Sequence, residues 1–194
     1  RDGDCWCCEP RGYIHHWHRH AEPELNLVLR GRGTYLLADR RYEIEAGSLV
    51  WLFPDQEHRL VDMSPDFAMW IALIDPAVLA RHAGERATLL DSDPAGDHIS
   101  HLGRPDRLFL DHLCTDLADK SMEERRFNSG VVYLFLTAWD AHQRADSTAH
   151  VRLHRAIDET LQLLDRDPEL GADALAEAVG LTRSHFSRLF HQEI

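Results

Sequence analysis

His18 and His20 stand two residues apart, Glu24 follows four residues later, and His58 comes well downstream. On an extended strand, side chains two apart leave on the same face, so His18 and His20 project together. Pro23 breaks regular pairing and lets a turn or bulge re-aim the chain at Glu24. Two imidazoles and a carboxylate converging from one face form the ligand set of an open divalent-metal site, and His58 supplies a fourth ligand from another strand. Zinc is the first expectation, because nothing signals redox or oxygen chemistry; Ni, Fe and Mn stay open. His16 shares the face of His18 and His20, while His15 lies on the other. Cys5 and Cys7 also share a strand face and could line the same cavity, where a thiolate would favour zinc. The simpler reading, that Cys5, Cys7, Cys8 and Cys114 are reduced and act as small hydrophobes, is preferred.

A chain of 194 residues makes one large domain or two small ones, and a hydrophobic content of 44% is ordinary for a globular protein. The formal net charge of −12 opposes non-specific nucleic-acid binding by the whole chain but allows a local basic face. No apolar run approaches the roughly 18 residues of a spanning helix, and no signal peptide opens the chain. With three cysteines crowded into residues 5–8, the expectation is reduced thiols and a cytoplasmic location, without membrane association. The start at Arg1 rather than at methionine reads as a trimmed or truncated beginning.

The elements that must position these ligands are short strands. Residues 12–75 read as strands separated by turns: Gly31-Arg32-Gly33 as a hairpin, a turn at Asp39-Arg40, an apolar strand from Leu49 to Phe53, and another from Phe67 to Ile74. If Glu24 faces an interior, Leu25, Leu27 and Leu29 face outward and need a covering layer. A short helix follows at Ala77 to Ala80, and a last strand is expected around His98 to Leu102 after a loop containing Pro94.

Leu108, Phe109, Leu113 and Leu117 then recur at helical spacing, and Phe127, Val131, Leu134, Phe135, Ala138, Trp139 and His142 line a second helix. The two read as a helical hairpin. Its Trp- and Phe-rich face has two compatible readings, packing on the strands and a homodimer interface. A polar linker is expected at Arg144 to Thr148 and a third helix at Val151 to Leu164, with Leu153, Ile157 and Leu161 in step.

The last segment pairs a short helix through Leu175, Ala176 and Val179 with a second one. Gly180 supplies the left-handed turn residue and Thr182 the cap. Phe186, Leu189 and Phe190 point inward, leaving Arg183, Ser184, Ser187, Arg188 and His191 outward. A polar helix face of this kind can enter a major groove.

Two resemblances rest on these residues. Gly12, His18, His20, Glu24 and Gly31 match every position of the first cupin motif; Gly47, Pro54 and His58 resemble the second, with one glycine missing and the Pro-to-His spacing one shorter. Leu175, Ala176, Gly180, Leu181, Phe186, Arg188, Leu189 and Phe190 resemble the first helix-turn-helix of AraC-family transcription regulators. Together they imply a mixed fold: an all-β cupin jelly-roll barrel, a helical hairpin and a C-terminal helix-turn-helix fragment. The implied domains are a sensor barrel over 1–103, a dimerisation hairpin over 104–147, and over 148–194 the first part of a DNA-binding module whose second half is missing. The implied function is a ligand- or metal-responsive regulator, not an enzyme, with promoter DNA and a small effector as partners. The alternative is a metal-dependent cupin enzyme of the oxygenase or isomerase type, which has no need of the C-terminal helices.

Overall fold

The computed structural model describes residues 1–9, 16–37, 40–91, 98–147, 150–152 and 154–194. The expectations that involve Gly12, His15, Asp39, Pro94, Thr148 and Leu153 lie outside them. The described strands are β1 (Gly3–Cys8), β2 (Glu24–Arg30), β3 (Arg32–Leu37), β4 (Arg40–Glu45), β5 (Ser48–Leu52), β6 (His58–Val61), β7 (Ala68–Ile74), β8 (Ile99–His101), β9 (Asp146–Ser147) and β10 (His150–Arg152). They form a six-stranded sheet in the order β1-β7-β2-β5-β8-β9 and a four-stranded sheet in the order β10-β4-β3-β6, antiparallel throughout. A closed barrel is therefore corrected to two separate sheets. They share an apolar interior of Val28, Tyr35, Leu37, Tyr42, Ile44, Val50, Leu52, Leu60, Phe67, Met69, Ile71 and Ile99.

Gly31 is not the tip of a hairpin. β2 pairs with β5 and β7, whereas β3 pairs with β4 and β6, so the chain changes sheets at this residue. Its φ of 74° makes the corner, and a Cβ there would stand 2.6 Å from the Phe67 Cα.

The leucines of β2 are covered as the alternation requires. Helices α1 (Pro76–His82), α2 (Arg104–Leu117) and α3 (Glu124–Arg144) share a core with the six-stranded sheet, in which Leu25, Leu27, Trp51, Phe127, Val131, Leu134 and Phe135 are fully buried and Leu29 partly so. Phe135 and Trp139 pack against Trp51, at 5.5 and 4.9 Å between ring centroids. The aromatic face that sequence offered as a dimer interface is thus consumed within the chain. The exposed apolar residues of this layer are Leu108, Phe109 and Tyr133.

The polar stretch after α3 is more than a linker: β9 pairs with β8 and β10 with β4, extending both sheets. The third helix accordingly starts late, as α4 (Arg155–Arg166) capped by His154. Then come α5 (Ala172–Ala178) and α6 (Arg183–Glu193). Gly180 has φ 70°, and the Thr182 hydroxyl accepts from the His185 N–H at 3.3 Å. Leu175, Ala176 and Phe186 form the small core of these helices. Ile157 and Leu161 of α4 bury Leu36 on the outer face of the four-stranded sheet, with Trp17, Leu189, Phe190 and Ile194 packed around them.

Among the described residues, no helix is long and apolar enough to cross a membrane.

Candidate metal centre

Backbone pairing brings the three histidines together. His18 and His58 form an isolated antiparallel bridge, His18 N–H to His58 O at 3.2 Å and His58 N–H to His18 O at 3.0 Å. The Asp55 N–H donates to the His20 carbonyl at 2.7 Å, tying the segment to the turn before β6. One ring nitrogen from each of His18, His20 and His58 lies within 4.8 Å of the others.

The tautomers are set by backbone carbonyls. Nδ1 of His18 meets His16 O at 2.9 Å, Nδ1 of His20 meets Glu22 O at 2.9 Å, and Nδ1 of His58 meets Gln56 O at 2.8 Å. A carbonyl can only accept, so each Nδ1 carries a proton and a neutral ring presents the Nε2 lone pair; at His20 the Nε2 instead donates to the Glu24 carboxylate. This is how metal-binding imidazoles are oriented. His58 Nε2 is buried without a hydrogen-bond partner, a costly state that a ligand would relieve.

Glu24 sits beside the trio. Its Oε2 is 2.9 Å from His20 Nε2 and 3.9 Å from His58 Nε2, and its Oε1 accepts from Asn26 Nδ2 at 2.7 Å. Asn26 Nδ2 also reaches the Tyr35 hydroxyl at 3.0 Å. Burial pushes the Glu24 carboxyl up, but the His20 hydrogen bond, the His58 charge and the Asn26 donor outweigh it and leave the carboxyl below its ordinary value. The same hydrogen bond raises His20. Burial lowers His58 to about 4, so it is neutral at pH 7 and the pull on Glu24 there comes from His20. Burial lifts the Tyr35 phenol well above its ordinary value. The three imidazoles with an adjacent anion fit a divalent cation bound by Nε2 atoms.

His16 is not part of the group; its Nδ1 meets Asp165 Oδ1 at 3.1 Å. Cys5 is buried on the helix side of the sheet, where its thiol meets the Cys114 carbonyl at 3.7 Å, away from the histidines. Cys7 is exposed, and all four cysteines are free. Asn26 follows Glu24 by two residues and was readable from strand alternation, whereas Tyr35 enters only through the stacking of one sheet on the other.

At the other end of the chain, Ser184, Arg188 and His191 of α6 are exposed and Ser187 is half-buried. Arg183, also exposed, has Nη1 3.5 Å from Asp173.

The family model described as the AraC-like ligand binding domain matches residues 9–180. The fold is similar to that of apo ToxT from Vibrio cholerae, with a TM-score of 0.53 and 10% identity over 100% of this chain and 76% of that one. At that identity the likeness speaks for the fold alone. The AraC-like transcriptional activator CuxR matches at a TM-score of 0.43 and 17% identity, over 92% of this chain and 61% of CuxR. A Cupin 2 conserved barrel domain protein from Salinispora arenicola matches at 0.34 and 27% identity, over 43% of this chain and 70% of that one. No curated protein matches the chain.

Proposed function

The chain belongs to the family of AraC-like ligand-binding domains, and on that premise we propose that it is the sensing part of a DNA-binding transcription regulator, not an enzyme, whose signal is a divalent metal or small effector held at His18, His20 and His58. The carbonyl locks on all three Nδ1 atoms carry this reading. A chain that needed these histidines only for packing would have no reason to hold all three by Nδ1, leaving the Nε2 side of each ring for a ligand, with the His20 Nε2 now donating to Glu24. Zinc suits an all-imidazole set, with Ni, Fe and Mn as alternatives. Glu24 is the fourth ligand or the counter-charge: binding at His20 Nε2 displaces the proton that Glu24 now shares. A bound ion would supply a charged anchor with open positions for an effector.

In this proposal α5 and α6 are a helix-turn-helix that reads DNA through Arg183, Ser184, Ser187, Arg188 and His191. Over residues 171–194 the acids Asp173, Glu177 and Glu193 stand against the bases Arg183 and Arg188, so few phosphates can be neutralised. The protein is proposed to be a homodimer, using Leu108, Phe109 and Tyr133 rather than the buried face of α3.

The test joins metal content to DNA binding. Protein purified without a metal-affinity step should carry about one divalent metal per chain, and the His18→Ala, His20→Ala double variant should carry none. Full metal content in that variant would refute the assignment. Gel shifts on a promoter fragment should show weak binding by the 194-residue chain at physiological salt. Turnover of a small substrate by the metal-loaded chain would favour the cupin enzyme instead, because its open coordination positions would then be doing chemistry.

A further inference from the structure

The outer face of the four-stranded sheet holds a half-buried guanidinium, Arg59, with N–H donors that meet no acceptor. Leu36 pairs with Arg41 on one side and with Arg59 on the other, so both guanidinium groups share its outward face. The His18–His58 bridge continues the antiparallel register by one residue, setting Trp17 opposite Arg59. Over this row lies α4, whose Ile157 and Leu161 close on Leu36.

Arg41 has an ion-pair partner, Glu43 at 2.6 Å from its Nη2, although its Nε is buried without an acceptor. Arg59 has none among the described residues: its Nε and Nη1 are buried without an acceptor, and so is the neighbouring indole Nε1 of Trp17. The carboxylate in the vicinity is Asp165 of α4, and its Oδ1 is already engaged by the Trp17 backbone N–H at 3.3 Å and by His16. Burial lowers the Arg59 guanidinium, with the Asp165 charge acting the other way. Buried charges are ordinarily paired, and buried N–H groups ordinarily have acceptors. The two orphaned donors of the single Arg59 guanidinium, with the Trp17 indole on the same face of the bridge, are the complement of an oxygen-bearing anion.

We propose that the seam between the four-stranded sheet and α4 binds a small oxyanion, the carboxylate or phosphate group of a small molecule, through Arg59 Nε and Nη1 and Trp17 Nε1. The site is separate from the histidine centre: the exposed His18 and the buried His58 share one side of the bridge, and Trp17 and Arg59 take the seam side. It would place an anionic effector in contact with the first helix that follows the sandwich.

The probes are inorganic phosphate and acetate, each titrated at constant ionic strength into EDTA-treated protein, so that no metal competes for the anion. The five tryptophans give five indole N–H signals in a nitrogen-correlated proton spectrum; the one absent from Trp17→Phe belongs to Trp17. In the wild type this signal should shift saturably, and whichever anion moves it at lower concentration identifies the group preferred. Arg59→Gln should weaken the affinity about tenfold or more, since hydrogen bonds to a charged donor are lost. Should Arg59→Gln fail to fold, Arg59→Lys tests the same point, retaining the charge but not the fork, and should weaken binding measurably. A Trp17 signal unmoved by both anions would overturn the proposal. So would equal shifts in the wild type and the Arg59 variant.

Discussion

Replacing Phe135 by alanine tests whether α3 is docked on the six-stranded sheet. Phe135 is 0% exposed and packs edge-on against Trp51, 5.5 Å between centroids and 72° between planes. A buried phenylalanine covers about 150–250 Å², which at about 25 cal/mol per Å² corresponds to about 4–6 kcal/mol for the whole side chain. Alanine keeps the Cβ, and the aromatic pair contributes about 0.5–1.5 kcal/mol of its own, so a loss of about 3–5 kcal/mol is expected. In the same core Trp51, Leu27, Leu134 and Ala138 are also fully buried, leaving little freedom to collapse into the cavity. Urea unfolding followed by far-ultraviolet circular dichroism should show a lower midpoint with an unchanged slope. A loss below about 1 kcal/mol would refute the reasoning and return the aromatic face of α3 to the role of an interface between copies.

Two further predictions concern the histidine centre and the outer helical surface. In metal-free protein the unfolded chain protonates His58 near 6.5 and the folded chain only near 4. His58 therefore costs nothing above pH 6.5 and destabilises progressively as the pH falls towards 4, by up to about 3 kcal/mol. Measured against His58→Gln, the wild type should lose that advantage between pH 7 and pH 4, and a difference independent of pH would count against a buried neutral imidazole. His20, raised by Glu24, acts in the opposite sense: its contribution is full below 6.5 and is lost as the pH rises through its folded value. On the outside, Phe109→Asp with Tyr133→Asp should leave stability within about 0.5 kcal/mol, since both are surface positions. In sedimentation the double variant should run as a monomer where the wild type runs as a dimer. A dimer surviving both changes would place the interface elsewhere.

The proximity of His18 and His20 was legible because its signal is local, whereas His58 joins them through non-local backbone pairing. His18 and His20 share a face by alternation alone, and the same alternation required a layer over Leu25, Leu27 and Leu29, which α2 and α3 supply. What covers the aromatic side of α3 was not legible, since apolar periodicity marks a buried face without naming its partner. Gly31 misled for a related reason: a glycine between two strands marks a sharp turn, and only non-local pairing decides whether the chain returns alongside itself or crosses to another sheet. β9 and β10 were invisible because their pairing uses backbone groups beneath a polar sequence. Arg59 and Trp17 likewise carry no motif. Their isolation exists only once α4 has closed over them.

The bridge between residues 18 and 58 has a thermodynamic consequence. Its side towards the histidine centre presents the exposed His18 and the buried His58, and one residue away, on the outer side, the Trp17 backbone N–H is held by Asp165 of α4. A ligand that repositions this bridge from within changes the free energy of seating α4 by some coupling energy. Linkage is reciprocal, so anything that draws α4 off the sheet must change the inner ligand's affinity by the same factor. If DNA is such an agent and the histidines hold a ligand, the occupancy of the histidine centre would report whether the C-terminal helices are engaged.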